Sequence, residues 1–179
     1  PVTHNIREAV ELVNAVRKAN RVFQVGSQQR SSKEFRVACE LARNGVLGRV
    51  NSVHVSFGDP PSPYREPEEA MEPGLDWNLW CGGGPLVNYN PMLSPRGIHT
   101  HFPKWRDTWE FGGGMITDWG AHHIDISQWA LNADTSGPVE VRAPQNWATA
   151  KRGAQLVYAD GTVLTHVRGK GVSFYGTEG

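Results

Sequence analysis

Three residues in this chain have the types and the spacing to move a proton: Asp118, His122 and Asp125. Counted at ~100° per residue on a helix of 3.6 residues per turn, His122 lies ~40° from Asp118, and Asp125 ~20° from it on the other side. The three therefore share one stripe. His123 falls more than ~90° from that stripe and is expected to do a different job. A carboxylate one turn before an imidazole holds the ring in one tautomer and raises its basicity, which suits a general base. The structural alternative is a helix-capping Asp and a satisfied histidine, since Asp-x-x-x-His also arises by chance.

The element that must position these groups opens with Gly112, Gly113 and Gly114, where the backbone can take positive φ or approach a ligand closely. Helical apolar spacing then runs to about Leu131. Upstream, Ile6, Ala9, Val10, Val13 and Val16 predict a helix over 5–19, with Asn5 and Glu8 in capping-box positions. It stops at Asn20, and Val22 to Gly26 reads as a short strand buried on both faces. Ser31 or Ser32 caps a second helix through Phe35, Ala38, Leu41 and Ala42, which exits at Asn44-Gly45. Val50 to Phe57 alternates as a strand.

The stretch from Gly58 to Phe111 exceeds fifty residues and is rich in Pro, Gly and Trp, too long for an idle connection. Five of the seven tryptophans (Trp77, Trp80, Trp105, Trp109, Trp119) fall between residues 77 and 119. They argue for an ordered insertion, and suit a carbohydrate or nicotinamide pocket and a core under long loops equally. After Gly137-Pro138, strands are expected at 139–143, near 145–148, at 154–158, 162–168 and 172–175, with Asp160-Gly161 as a hairpin turn. Tight turns between successive strands predict an antiparallel sheet.

Eighteen basic and eighteen acidic residues leave a formal charge of zero over 179 residues, so nucleic acid and anionic membrane are disfavoured as partners. No apolar run approaches the roughly 18–20 residues that span a bilayer, and no signal-peptide pattern is present. The two cysteines, Cys39 and Cys81, lack the spacing of a zinc site or a redox pair and are expected to be free thiols. The chain starts at Pro1 and ends on Phe174 to Gly179, which reads as a strand entering a turn; both ends look severed.

The run of Gly112 to Gly114, Asp118, His122 and Asp125 resembles the Gfo/Idh/MocA family of NAD(P)-dependent oxidoreductases. Asp76-Trp77-Asn78-Leu79-Trp80 and Asn88-Tyr89-Asn90-Pro91 resemble loops of one branch of that family, although Cys81-Gly82-Gly83-Gly84 departs from its usual Gly and Pro. The resemblance implies an α/β fold: residues 1–30 as the tail of a dinucleotide-binding Rossmann domain, then 31–179 as a predominantly antiparallel open-sheet domain. That second domain is of the glyceraldehyde-3-phosphate-dehydrogenase-like C-terminal type, binds substrate and forms homo-oligomers. Pro1 looks like the Pro of the family's Glu-Lys-Pro, whose Lys contacts cofactor and substrate. The implied reaction is hydride transfer between a sugar or cyclitol hydroxyl and NAD or NADP, whose main binding motif lies upstream.

In that reading His122 is the base and Asp118 orients it, while Asp125, Arg30 and His123 contact substrate and Trp105 and Arg106 lie near the cofactor. Arg30 serves equally as the partner of a carboxylate, and Trp105 and Arg106 as a packed ring beside a surface cation. The isolated chain is expected to be inactive and to bind no dinucleotide. The implied compartment is the cytoplasm, or an exported location reached through an upstream twin-arginine signal. Three rivals remain: an NAD-dependent glycoside hydrolase of the same superfamily, a non-catalytic dimerisation module, and a metal hydrolase drawing on His99, His101, Asp107, Asp118, His122, His123 and Asp125.

Overall fold

The structure is a computed structural model that describes residues 2–94 and 103–179. Pro1, His99 and His101 lie outside the described residues. In chain order the regular elements are α1 (Ile6–Ala19), α2 (Lys33–Arg43), β1 (Val50–Ser56), α3 (Trp77–Cys81), α4 (Trp119–Ala130), β2 (Glu140–Arg142), β3 (Gln155–Val157), β4 (Val163–His166) and β5 (Gly171–Gly176). The chain forms two compact units, one of Pro1–Phe23 with Asp59–Asp118, the other of Gln24–Gly58 with Trp119–Gly179.

In the first unit, α1 begins where the sequence places it. The Asn5 side chain accepts from Glu8 N–H at 3.0 Å, and Glu8 returns by accepting from the Asn5 amide and from His4 N–H. The helix ends on Asn20 in the left-handed region, at φ 49°. It buries no residue, and Ile6, Val10 and Val13 are exposed. The long insertion is ordered around its own aromatics: Trp77, Cys81, Tyr89 and Leu93 form a buried cluster with Trp80, Trp105 and Phe111 against it. Trp77 stacks on Trp80 at 4.5 Å between centroids, and its indole N–H donates to the Val87 carbonyl at 2.7 Å. That bond removes the cost of burying a polar edge.

In the second unit the five strands lie in the order β2-β3-β4-β1-β5. The β2, β3 and β4 pairings are antiparallel, and the Asp160-Gly161 turn joins β3 to β4 as expected. Two features differ from a simple meander. β1 pairs parallel with β4, and β5 crosses to the other side of β1 rather than pairing with β4. The sheet is mixed because β1 precedes the insertion and is threaded between strands that come more than a hundred residues later.

One sheet face carries Val53, Val55 and Leu164, each at 2 % exposure or less. Cys39 and Ala42 of α2 and Ile126 and Ala130 of α4 pack with Phe35, Val50, Val172 and Phe174. Burying a side chain such as Ile126 contributes roughly 1.5–3 kcal/mol, so α4 is anchored through its apolar side. Both cysteines are buried free thiols, and burial pushes Cys39 up to about 11.

Two expected strands are absent. Val22 to Gly26 is irregular, with Val22 fully exposed, and Phe23 and Val25 at least half exposed. An isolated extended segment has no ladder to satisfy its backbone, and none of the five strands pairs with it. Residues 145–149 form a turn in which Thr149 and Ala150 N–H donate to the Asn146 carbonyl, leaving Trp147 exposed. Pro144 interrupts the run just before it, which favours a bend over a ladder.

Candidate active site

The glycine run is packed against its own chain. A Cβ on Gly112 would sit 2.6 Å from the Arg106 carbonyl oxygen, and one on Gly114, which has φ 68°, would sit 2.4 Å from the Pro61 nitrogen. The close approach is therefore between backbone segments. Gly114–Ile116 forms a single 3-10 turn, fixed by Met115 N–H donating to Asp59 C=O at 3.0 Å. Asp118 N–H closes back on the Gly114 carbonyl, which sets the carboxylate just before α4.

That carboxylate accepts from Arg106 Nη1, and the Arg106 guanidinium lies 5.0 Å from the Trp105 ring centroid. Trp105, Arg106 and Asp118 are thus brought together, with Trp105 half-buried against the aromatic cluster. Burial first, and the neighbouring Asp118 second, push the Asp107 carboxyl above its ordinary range.

In the second unit His122 and His123 part company as their helical spacing requires. His122 is half-buried, with its ring edge-on to Trp119 at 6.1 Å between centroids. It makes no hydrogen bond or ion pair among the described residues. Among the described residues nothing engages either of its ring nitrogens.

His123 is committed to the fold. It is 8 % exposed, its Nδ1–H donates to the Ser56 carbonyl of β1 at 2.7 Å, and its backbone carbonyl accepts from Ser127 Oγ at 2.8 Å. Burial pushes its pKa down, against the raising effect of the Ser56 bond, with His122 adding a smaller lowering effect. A histidine whose folded value lies below its unfolded one adds stability above pH ~6.5 and loses it as pH falls through that value. The slope is at most about 1.4 kcal/mol per pH unit. Urea unfolding should lose stability more steeply below pH ~6.5 in the native sequence than in His123→Asn, which keeps a donor for Ser56. Parallel pH slopes in the two proteins would refute this role.

Asp125 also has a partner. Arg30, in the 3-10 turn Gln28–Ser31, grips it with two bonds, Nε to Oδ2 at 2.8 Å and Nη2 to Oδ1 at 2.7 Å. The same guanidinium bonds Asp134 at 2.8 and 3.1 Å and sits 5.5 Å from the Trp129 ring centroid. These bonds, Asp125 first, raise the Arg30 pKa, and Arg30 holds Asp134 below the usual carboxylate range. With the side chains of Arg30 and Asp125 about 30 % exposed, the pair adds no more than about 1 kcal/mol. Its chief effect is placement: it ties the turn after residue 26 to the face of α4.

Two of these partners were not visible in the sequence. Asp134 lies 104 residues from Arg30, and the Ser56 carbonyl 67 residues from His123. No local spacing signals either. Among the described residues no group of three His, Cys, Asp or Glu converges on a metal-sized position, and no helix is long and apolar enough to cross a membrane.

A five-stranded mixed sheet covered on one face by helices, with a glycine-led turn leading into the helix that carries His122, is an α/β fold of the kind found as the C-terminal domain of a family of oxidoreductases. Residues 64–172, more than half of the chain, match the sequence profile described as "Oxidoreductase family, C-terminal alpha/beta domain" of the Gfo/Idh/MocA proteins, and the chain belongs to that family. No curated protein sequence matches it.

Solved structures share the fold. GenD2 from gentamicin A biosynthesis, in complex with NAD, is 22 % identical with a TM-score of 0.54, over 96 % of this chain and 42 % of that one. Myo-inositol 2-dehydrogenase from Lactobacillus plantarum is 19 % identical with a TM-score of 0.55, over 100 % and 47 %. Aldose-aldose oxidoreductase from Caulobacter crescentus, complexed with glycerol, is 16 % identical with a TM-score of 0.56, over 97 % and 44 %. The chain spans less than half the length of each.

Proposed function

We propose that this chain is the substrate-facing part of an NAD(P)-dependent oxidoreductase that acts on a sugar or cyclitol hydroxyl, with His122 as the general base. The observation that carries the reading is the family match over residues 64–172, which contains the whole run from Gly112 to Asp125. Relatives of this fold include a myo-inositol 2-dehydrogenase and an aldose-aldose oxidoreductase, which supports a polyol as the substrate class. The state of His122 supports it as the base: among the polar groups of the stripe, Asp118 and Asp125 are each held by an arginine. Only the imidazole is left with both nitrogens unengaged among the described residues.

Bound nicotinamide supplies the hydride acceptor. Among the described residues nothing forms a cradle for the dinucleotide phosphates: the three glycines are filled by the chain itself, and Arg106 is turned to Asp118. The residues present fit the substrate end of such a site. His122 takes the hydroxyl proton as the carbon is oxidised, which avoids a free alkoxide and is worth roughly 10²–10⁴ in rate. Asp118 is the carboxylate assigned to orient it, on their spacing in the sequence, and Arg106 fixes the rotamer of that carboxylate. Asp125 acts through Arg30 to place α4 rather than by offering a free carboxylate to substrate.

The complete protein, given NAD⁺ or NADP⁺ and a panel of aldoses and cyclitols, should release one reduced nicotinamide for each hydroxyl oxidised to a carbonyl. Release of a free sugar from a glycoside without net reduction would replace this reading with the glycosidase alternative.

A further inference from the structure

The first unit contains a cleft of about 580 Å³ that the proposed chemistry does not use. Its volume lies in the roughly 300–1,000 Å³ range of small-molecule sites. His4, Glu8, Trp109, Glu110 and Phe111 line it, and among the described residues no Lys or Arg does.

Its polar groups are set in place by neutral donors. Glu110 accepts from Tyr64 N–H with both oxygens, at 3.1 and 3.2 Å, and Glu8 accepts from His4 N–H at 2.6 Å and from the Asn5 amide at 2.7 Å. Neither carboxylate forms an ion pair among the described residues. His4 Nε2–H donates to the Gly112 carbonyl at 3.2 Å, which leaves Nδ1 as an acceptor for a hydroxyl. Trp109 presents an indole that is 54 % exposed.

The physics narrows the occupant. An exposed indole takes the C–H face of a saturated ring and attracts a cation to its π-face. Two fixed carboxylates with no ion-pair partner among the described residues repel an anion and are left uncompensated by a neutral ligand. We infer that this cleft binds a ring bearing hydroxyls and an ammonium group, an amino sugar or an aminocyclitol, between Trp109 and the carboxylates of Glu8 and Glu110.

The test is a titration of the full-length protein with glucosamine against glucose and galactosamine against galactose, followed by tryptophan indole N–H shifts. The amino member of at least one pair should bind at least about tenfold more tightly than its neutral partner, and high salt should erode the preference. Glu110→Gln should bring that pair to within about threefold, and Trp109→Ala should remove most binding of both members. Equal affinity within both pairs, no binding of either amino sugar, or a preference untouched by Glu110→Gln would overturn the assignment. His122→Ala should leave the preference as it is, so failure of this cleft and failure of the proposed oxidoreductase chemistry are read on separate measurements.

Discussion

With His122 as the proposed base, His122→Ala in the complete protein should lower kcat by at least about a hundredfold while the affinity for the dinucleotide stays within about twofold of the native protein. The size follows from the role. A positioned base contributes roughly 10²–10⁴, and removing it leaves binding and orientation intact. The variant should fold normally, because His122 makes no hydrogen bond among the described residues and the apolar anchors of α4 are Ile126 and Ala130. A structural histidine gives a different result. His123 is the internal control: it lies next in sequence, is buried on Ser56, and its loss should show in stability before it shows in kcat. Near-native turnover would remove His122 from the reaction.

The spacing places His122 and His123 on different sides of α4, and the structure gives them different surroundings, while Asp118 and Asp125 are each bonded to an arginine that the spacing does not report. An angle around a helix depends only on residue number, so the separation of His122 from His123 was legible before any fold was known. What an acid on that helix faces depends on elements far away in sequence. Arg30 reaches Asp125 across 95 residues, and no periodicity within α4 encodes that. The same division runs through the fold. The start of α1 at Asn5, the exit at Asn20 and the Asp160-Gly161 hairpin are local, and all are present where the residues put them. The parallel pairing of β1 with β4, Ser52 opposite Val163, is a non-local choice that no turn signal could report. The segment 22–26 shows the converse: apolar composition predicts a strand, but strand structure also needs a neighbour to bond with.

The glycines before α4 show a third kind of legibility, in which the residue type was readable and its purpose was not. Positive φ or a close approach to a ligand was expected at Gly112 to Gly114; positive φ occurs at Gly114, and the close approaches at Gly112 and Gly114 are to the chain's own backbone at Arg106 and Pro61. The turn is therefore a rigid support for Asp118. This makes a paired experiment decisive. Gly114 and Gly74 both lie in the first unit with positive φ, 68° and 81°, but a Cβ at Gly74 meets nothing within 4 Å while one at Gly114 meets the Pro61 backbone at 2.4 Å. Gly74→Ala should cost only the left-handed conformation, about 1–2 kcal/mol. Gly114→Ala carries that cost and a clash that backbone atoms cannot relieve by a rotamer change, adding roughly 1–3 kcal/mol as overpacking does. Urea unfolding of the two variants should therefore separate them, with Gly114→Ala about 2–5 kcal/mol below the native protein in total. In the complete enzyme Gly114→Ala should also depress kcat, because the Gly114 carbonyl is the acceptor that holds the Asp118 amide. Equal stability losses in the two variants would mean that Pro61 moves aside at no cost and that the turn is not the rigid support described.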